Sequence, residues 1–333
     1  MNHGEYVLAE ELVDLIHQNF QGFHAGYRDV HAAGRYYAAT FTATPAAKAL
    51  TRAVHMQGQS VPATVRHSKS ASGNPLGPSG APSIAVKFFL PNGTVTDLIG
   101  LTVPLFPTRT PEETVGLLQA ARPEVPNGEP NLEKLREFAS TRPWVAHALQ
   151  VIQAVPAALS LAQTEFHALH AFRFVSAANE MQYGRYHWEP VAGVASQTSE
   201  ELLALPQNYL FEELEERLRN APVGFDLVLE LAGEGDPIDD PNAPWAAGRP
   251  RVTLGRLELI RPTTVEEIGD PVMLHDPTRL TDGIEVSNDP ILAARRGIYE
   301  VSVALRTGGW KGRQAAWDLE GACPFSSIKK TSQ

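Results

Sequence analysis

The sequence predicts an α+β protein built on an antiparallel β-barrel with flanking helices. Seven or eight short runs rich in β-branched and aromatic residues follow one another along the chain and are separated by turn residues. The segments with helical periodicity come in separate groups, which argues against a parallel, doubly wound sheet. The chain has 333 residues, of which 43% are hydrophobic, so it has enough apolar material for such a core.

The first third of the chain predicts one helix and then four strands. Residues 7–20 form an amphipathic helix, because apolar side chains recur there at three- and four-residue steps between acidic residues. The strands are predicted at residues 36–42, 61–65, 84–90 and 94–101. Residues 68–83 are rich in Gly, Pro and Ser and predict a loop, either an ordinary surface loop or one that shapes the entrance of a site.

The remaining chain alternates between groups of helices and groups of strands. Residues 111–155 predict three helices that begin at or near Pro or Asn, and residues 198–220 predict two short helices divided at Pro206. Strands are predicted at residues 166–175, 181–188, 223–231 and 251–260. Asp289 followed by Pro290 marks the start of a last helix that extends to residue 306.

Charge and cysteine usage exclude several functional classes. The chain carries 28 Lys and Arg against 38 Asp and Glu, and the formal net charge of -10 argues against nucleic acid or an anionic membrane as a partner. No apolar run approaches the roughly 18 residues of a membrane-spanning helix, and the N-terminal segment lacks the order of a signal peptide. Because Cys323 is the only cysteine, no internal disulfide can form, which fits the reducing cytoplasm. From the charge and the missing apolar run we expect no membrane association.

The last predicted helix carries Arg295, Tyr299 and Arg306 on one face. At about 100° per residue, Tyr299 lies about 40° and Arg306 about 20° from Arg295 around the helix. Such a stripe is typical of a solvated, ion-paired surface. It also fits a phenolate stabilised by a neighbouring guanidinium, and a phenolate can bind ferric iron.

Two further polar units lie in the N-terminal part of the chain. Arg28 and His31 precede the first strand, and Arg66 and Ser68 lie at the end of the second. A single histidine is more often a packed or surface residue than a catalyst, so His31 alone would carry little weight.

Two other polar groups are interpreted as structural. His167 and His170 are three residues apart in one predicted strand, which directs them to opposite faces and disfavours a metal site formed by the pair. Asp236, Asp239 and Asp240 lie in a proline-rich turn, where carboxylates commonly accept hydrogen bonds from backbone N–H groups.

Six motifs connect these units. They are Arg28-Asp29-Val30-His31-Ala32-Ala33-Gly34, Val65-Arg66-His67-Ser68, Ala85-Val86-Lys87-Phe88, Asp97-Leu98-Ile99-Gly100, Asp276-Pro277 through Gly283-Ile284-Glu285, and the Arg295, Tyr299 and Arg306 spacing. In order and spacing they resemble the haem catalase superfamily, most closely its short branch of catalase-related peroxidases. The resemblance extends from about residue 22 to residue 310.

The resemblance implies a haem site with named residues. It implies Tyr299 as the proximal ligand of ferric haem b, Arg295 as the cation that keeps it ionised, and His31 as the distal histidine. Arg28, Arg66 and Arg306 are implied as partners of the haem propionates, since two half-buried carboxylates need paired cations. Ser68 is implied to hold the imidazole of His31 by a hydrogen bond. In such a site the histidine moves a proton from the first peroxide oxygen to the second.

The chain also departs from the catalase pattern. Catalases place an Asn after the Asp-Leu-Val-Gly motif to orient the peroxide, whereas this chain has Leu101 and Thr102 there, so only weak dismutation of hydrogen peroxide is expected. His67 replaces a Phe, and Ser83-Ile84 replaces the Arg-Gly that usually precedes the Ala-Val-Lys-Phe motif.

We therefore expect a peroxidase that oxidises a small organic donor with hydrogen peroxide or an organic hydroperoxide. Two alternatives stay open: a haem enzyme that rearranges or cleaves a hydroperoxide or N–O bond, and a haem-binding protein without catalysis. The expected organisation is a helical arm over residues 1–21, a single catalase-like haem domain over residues 22–310 and a tail over residues 311–333, assembled as a homodimer.

Overall fold

The computed structural model describes residues 3–19, 31, 34–69, 81–124 and 130–307. The described strands are β1 Gly34–Ala43, β2 Val61–Lys69, β3 Pro82–Phe89, β4 Val95–Leu101, β5 Ala157–Ala158, β6 Phe166–Val175, β7 Met181–Pro190, β8 Ser196–Gln197, β9 Val223–Leu231, β10 Arg251–Thr263 and β11 Ile284–Val286. The described helices are α1 His3–Asn19, α2 Pro45–Leu50, α3 Pro111–Ala121, α4 Leu132–Ser140, α5 Pro143–Ala154, α6 Ser199–Leu203, α7 Tyr209–Asn220, α8 Val265–Ile268 and α9 Pro290–Arg306.

Eight antiparallel strands close into a barrel. Their order is β6-β4-β3-β2-β1-β10-β9-β7, and β7 pairs again with β6 to complete the circle. The closing contact between β4 and β6 is short and joins Leu101 to His167. The strand β11 extends the sheet beside the second half of β6, while β5 and β8 pair separately. This arrangement confirms the predicted α+β class and the antiparallel barrel.

Aromatic side chains fill the interior of the barrel. Phe41 is fully buried, and its ring lies 5.2 Å from that of Phe88 and 6.5 Å from that of Trp188. A Cβ atom on Gly255 would approach the Phe41 ring to 2.4 Å, so the interior leaves no room for a side chain there. Burying each large aromatic stabilises the fold by roughly 1.5–3 kcal/mol. Because the interior is packed, a site for a large cofactor has to lie outside the barrel.

The helix α9 is held against the outside of the barrel by α1. Ala9 and Val13 of α1 form a buried cluster with Val301 and Leu305 of α9. The predicted amphipathic helix near the N-terminus is therefore confirmed, and its apolar face fixes the position of α9. Within the described part of the chain, no helix has the combined length and apolarity that spanning a membrane requires.

Three features predicted from the sequence lie outside the described residues. They are Arg28, most of the loop predicted at residues 68–83, and the tail at residues 311–333. The division of the chain into arm, haem domain and tail stays a prediction.

Candidate functional site

The start of α9 is fixed by a buried carboxylate. Asp289 is 1% exposed, and its Oδ1 accepts hydrogen bonds from the backbone N–H groups of Ile291 at 2.8 Å and Leu292 at 3.2 Å. Pro290 follows as the first helical residue, where its missing N–H costs nothing. The cap fixes where α9 begins, and the periodicity of the helix places Arg295 and Tyr299 about one turn apart.

The same carboxylate begins a chain of hydrogen bonds that ends at Tyr299. The other oxygen of Asp289 lies 2.6 Å from Nδ1 of His170 on β6. Nη1 of Arg295 lies 3.0 Å from Nε2 of the same imidazole, and Nη2 of Arg295 donates to the phenolic oxygen of Tyr299 at 2.6 Å. The chain therefore joins a carboxylate, an imidazole, a guanidinium and a phenol in a fixed order.

The protonation pattern of this chain follows from its donors. Because a guanidinium only donates, Nε2 of His170 accepts, and the imidazole proton lies on Nδ1, where it is donated to Asp289. Burial is the main cause that lowers the pKa of His170, which keeps the ring neutral. The charge of Arg295 is thus directed at the phenolic oxygen of Tyr299, where it stabilises negative charge.

The sequence did not identify His170 and Asp289 as members of this network. From the sequence, His170 is only a possible metal partner of His167, and Asp289 is only a helix cap. The structure confirms the cap and shows that His170 contacts α9, whereas His167 contacts His187. A register shift in β6 between Ala168 and Ala171 lies next to His170 and is not visible in the strand pattern.

A second polar group lies around His31, at the ends of β2 and β3. His31 has a backbone φ of 57°, and its Nδ1 lies 3.3 Å from Oγ of Ser83. Oγ of Ser83 lies 2.6 Å from Oγ of Ser68, its partner across the two strands. In the described structure Ser83 lies between the two residues, so the expected direct contact of Ser68 with His31 is replaced by a contact through Ser83.

Arg66 on β2 holds the backbone of His31 in place. Its side chain is buried, and Nη2 donates to the carbonyl oxygen of His31 at 2.8 Å. A Cβ atom at position 34 would lie 2.5 Å from that Nη2, so Gly34 is needed for the guanidinium to fit. Arg28 and the side chain of Arg306 lie outside the described residues, although Arg306 itself is the last residue of α9.

The end of β4 borders the same region. Leu101 is the cross-strand partner of Ser83, which places an apolar side chain beside the hydroxyl that contacts His31. The next residue, Thr102, has a buried Oγ1 without a hydrogen-bond partner among the described residues. Thr102 lines a cavity of about 230 Å³ whose other walls are mainly apolar and come from β5 and from helices α5, α6 and α7.

The residue between Arg66 and Ser68 points into the barrel. His67 is fully buried, and its ring lies 5.5 Å from that of Phe166 and 6.1 Å from that of Phe225. Burial lowers the pKa of His67 to about 4, so the imidazole is neutral at physiological pH. His67 therefore acts as a core side chain.

Asp236 and Asp240 of the proline-rich turn accept hydrogen bonds from backbone N–H groups, as the sequence predicts. Asp236 accepts from the backbone N–H of Gly233 at 2.8 Å and pairs with Arg249 at 2.7 Å. Asp240 accepts from the backbone N–H of Asn242 at 2.9 Å.

Comparison with known proteins gives a consistent result. The family model described as catalase matches residues 2–221. The chain is 39% identical over 312 residues to a catalase-related peroxidase of Mycolicibacterium paratuberculosis, covering 92% of this chain and 97% of that protein. It is 32% identical over 306 residues to a catalase-related peroxidase of Synechococcus elongatus, covering 91% and 90% of the two chains.

Two solved structures share the fold. A fungal catalase superposes with a TM-score of 0.74 at 17% identity, and a bacterial catalase with a TM-score of 0.73 at 20% identity. The matches cover 86% and 85% of this chain but only 60% and 58% of the respective catalase chains. The present chain thus shares its fold with a little under two thirds of each catalase chain.

Proposed function

The chain belongs to the catalase family, and from this premise we propose that it is a haem b peroxidase that uses hydrogen peroxide or an organic hydroperoxide to oxidise a small organic donor. Two relatives named as catalase-related peroxidases support the proposal, since this chain spans 97% and 90% of their lengths. The observation that carries it is the hydrogen bond from Arg295 to Tyr299, at the end of a buried chain that begins at Asp289.

The residues around Tyr299 fit a haem group. A phenolic oxygen that receives a guanidinium hydrogen bond is suited to bind ferric iron as a phenolate. The fit is also supported by the imidazole of His31 and by Oγ1 of Thr102, which has no hydrogen-bond partner in the described part of the chain. Arg66, together with Arg28 and Arg306, would pair with the two propionates, which need cations when they leave water.

In the proposed mechanism, each of the described residues has one role. When bound, ferric haem supplies the redox centre at which the O–O bond of a peroxide is cleaved. The contact between Nδ1 of His31 and Ser83 fits the tautomer that carries its proton on Nδ1, so that Nε2 accepts a proton from the peroxide and returns it to the leaving oxygen. The carboxylate of Asp289 fixes the tautomer of His170, and Arg295 holds negative charge on Tyr299.

The surroundings of Leu101 favour an organic substrate. Leu101 offers no hydrogen bond where catalases have an Asn, and losing one preorganised donor commonly costs about 10²–10³-fold in turnover. The cavity beside Thr102 is mainly apolar, with about 230 Å³ of space, which suits a small organic molecule. We therefore propose weak catalase activity at most.

An absorption experiment tests the function directly. Tag-free wild type and Tyr299→Phe are expressed with added haem, spectra are recorded, and hydrogen peroxide is then added while released oxygen is measured. We expect the wild type to bind one haem with a high-spin ferric, tyrosinate-type spectrum, to react promptly with peroxide and to release little oxygen. Tyr299→Phe should lose that spectrum.

The control is Tyr183→Phe, a tyrosine on β7 that takes no part in the Asp289 to Tyr299 chain. It should leave the spectrum unchanged. A wild type that binds no stoichiometric haem would contradict the proposal. Haem binding without any reaction with peroxide would favour the haem-binding protein. A second assay supplies an organic hydroperoxide together with an organic donor: oxidised donor is the expected product, and a rearranged hydroperoxide without donor oxidation would favour the rearranging enzyme. The homodimeric state and the cytoplasmic location stay predictions from the sequence.

A further inference from the structure

A cluster of two histidines and a carboxylate lies on neighbouring strands, apart from the Asp289 to Tyr299 chain and the His31 group. His167 on β6 and His187 on β7 are direct cross-strand partners, and their Nδ1 atoms lie 2.9 Å apart. Oε1 of Glu165, which immediately precedes β6, lies 3.9 Å from each of these nitrogens. The three side chains are partly buried and reachable from solvent, at 19%, 14% and 32% exposure in that order.

The three atoms are spaced as ligands of one metal ion. A triangle with a base of 2.9 Å and two sides of 3.9 Å has its centre about 2.1 Å from each corner, which matches Zn–N and Zn–O bonds of about 2.0–2.2 Å. We propose that Glu165, His167 and His187 form a binding site for a divalent transition-metal ion of the zinc type.

One of the proposed ligands, His187, has a carboxylate near its second ring nitrogen. Oε2 of Glu230 on β9 lies 3.4 Å from Nε2 of His187, the ring nitrogen that the metal would not use. Ligating histidines commonly direct their second nitrogen at a carboxylate, which fixes the tautomer and raises the basicity of the ligand. The 2.9 Å contact is a hydrogen bond between the two Nδ1 atoms, so binding a metal through both of them requires the shared proton to leave Nδ1.

The charges around the cluster favour a cation. Arg251 is in ion-pair contact with Glu189 at 2.8 Å and lies 3.7 Å from Glu165, so its main partner is Glu189. Glu230 also interacts with Arg185. The carboxylates of Glu165, Glu189 and Glu230 with these two guanidiniums leave one formal negative charge, which favours a cation over an anion.

The donor types decide the class of metal. Two imidazole nitrogens and one carboxylate oxygen suit borderline ions such as Zn²⁺, whereas Ca²⁺ and Mg²⁺ prefer oxygen ligands. Three protein ligands leave a position for water in a four-coordinate site. The bound ion would cross-link β6 and β7, and through Glu230 it would also be connected to β9.

Zinc binding to the haem-loaded protein tests the site. Tag-free protein is dialysed against a chelator and then titrated calorimetrically with ZnCl₂, and bound zinc and iron are counted by elemental analysis. We expect one equivalent of zinc per chain in addition to any haem iron, and a higher melting temperature with zinc, since a ligand that binds only the folded state stabilises it. His167→Gln and His187→Gln should each weaken zinc binding at least 100-fold, and Glu230→Gln about 10-fold.

His147→Gln removes an exposed histidine on α5 and should leave zinc binding unchanged. Glu165→Gln alters the most exposed ligand, so it decides the question if a histidine variant fails to fold by circular dichroism. Binding of much less than one equivalent would overturn the proposal. Zinc binding that the His167, His187 and Glu165 variants leave unaltered would also overturn it, because the ion would then lie elsewhere.

Discussion

The two sides of the proposed haem site are built differently. On the Tyr299 side, four side chains from α9 and β6 form one unbroken series of hydrogen bonds, and its first member is also the cap of α9. On the His31 side, the imidazole lies 3.3 Å from the hydroxyl of Ser83, which in turn lies 2.6 Å from the hydroxyl of Ser68.

The difference indicates that the two sides respond differently to substitution. We call the Tyr299 side the fixed side and the His31 side the adjustable side. The Tyr299 side combines a helix cap with buried charges, so a change there disturbs folding and charge balance together. The His31 side depends on residues at strand ends, where a substitution such as Ser83 or Leu101 changes the local chemistry without changing the barrel. We therefore expect substitutions on the His31 side to change reactivity alone, and substitutions on the Tyr299 side to disturb haem binding and folding as well.

Removing the base on the adjustable side should have the largest effect. We expect His31→Asn to lower kcat/KM for peroxide by about 10²–10⁴-fold, because positioned acid–base catalysis contributes that much. Asn is chosen because it tolerates the positive φ of 57° at this position. Stopped-flow absorption measures the rate, and the pyridine haemochrome assay should show unchanged haem content. Activity close to that of the wild type would exclude His31 as the proton carrier.

On the fixed side, Asp289→Asn should weaken haem binding by about 10–100-fold, the usual cost of losing a supporting charge behind a metal ligand. Asn caps helices as well as Asp, so α9 should keep its start and the change isolates the charge. Losing one negative charge should also raise the Fe(III)/Fe(II) potential, measured by spectroelectrochemistry. Thr110→Asn, a cap exchange on α3, is the control and should change neither property. An unchanged potential in Asp289→Asn would show that its charge does not reach the iron.

The same difference explains what the sequence could predict. Arg295 and Tyr299 lie on one helix, so their common face follows from periodicity alone. His170 joins them from a strand more than 100 residues away, beside a register shift in β6, and no local pattern shows that contact. The main strands and helices were predicted because each has a strong period, whereas β5, β8 and β11 have two or three residues and no readable period.

The role of Ser83 depends on strand pairing as well as on its identity. The sequence shows that this residue departs from the family pattern, yet the contact with His31 depends on the pairing of β2 with β3. In the same way, the pairing of His167 with His187 follows from the β6–β7 register and not from the spacing of His167 and His170.

The buried imidazole of His67, inside the barrel, should reduce the stability of the fold in acid. Its pKa is lowered from 6.5 to about 4 by burial, so the folded state excludes the protonated form. Stability from this group is complete above about pH 6.5 and is lost as the pH falls towards 4. At pH 5.5 the loss is about 1.4 kcal/mol. We expect urea unfolding to show that lowering the pH from 7.5 to 5.5 reduces the free energy of unfolding of His67→Phe by about 1.4 kcal/mol less than that of the wild type.

His55, also buried with a pKa lowered to about 4, should retain its own share of the acid sensitivity in that variant. Exchanging the exposed His147 for Gln should leave the pH dependence of unfolding unchanged. If His67→Phe keeps the full acid sensitivity of the wild type, the buried imidazole does not contribute to it.

The smallest expected effect comes from removing the two hydroxyls near His31, those of Ser83 and Ser68. The loss of kcat/KM should be larger for Ser83 than for Ser68. Ser83→Ala should lower kcat/KM for peroxide by about 3–10-fold, the cost of one net hydrogen bond, and Ser68→Ala by less, because Ser68 acts through Ser83. The double variant should equal Ser83→Ala, since residues in one series are not additive. The pH profile of kcat/KM should shift in Ser83→Ala if the hydroxyl fixes the imidazole tautomer. A larger loss in Ser68→Ala than in Ser83→Ala would instead place the direct support of His31 on Ser68.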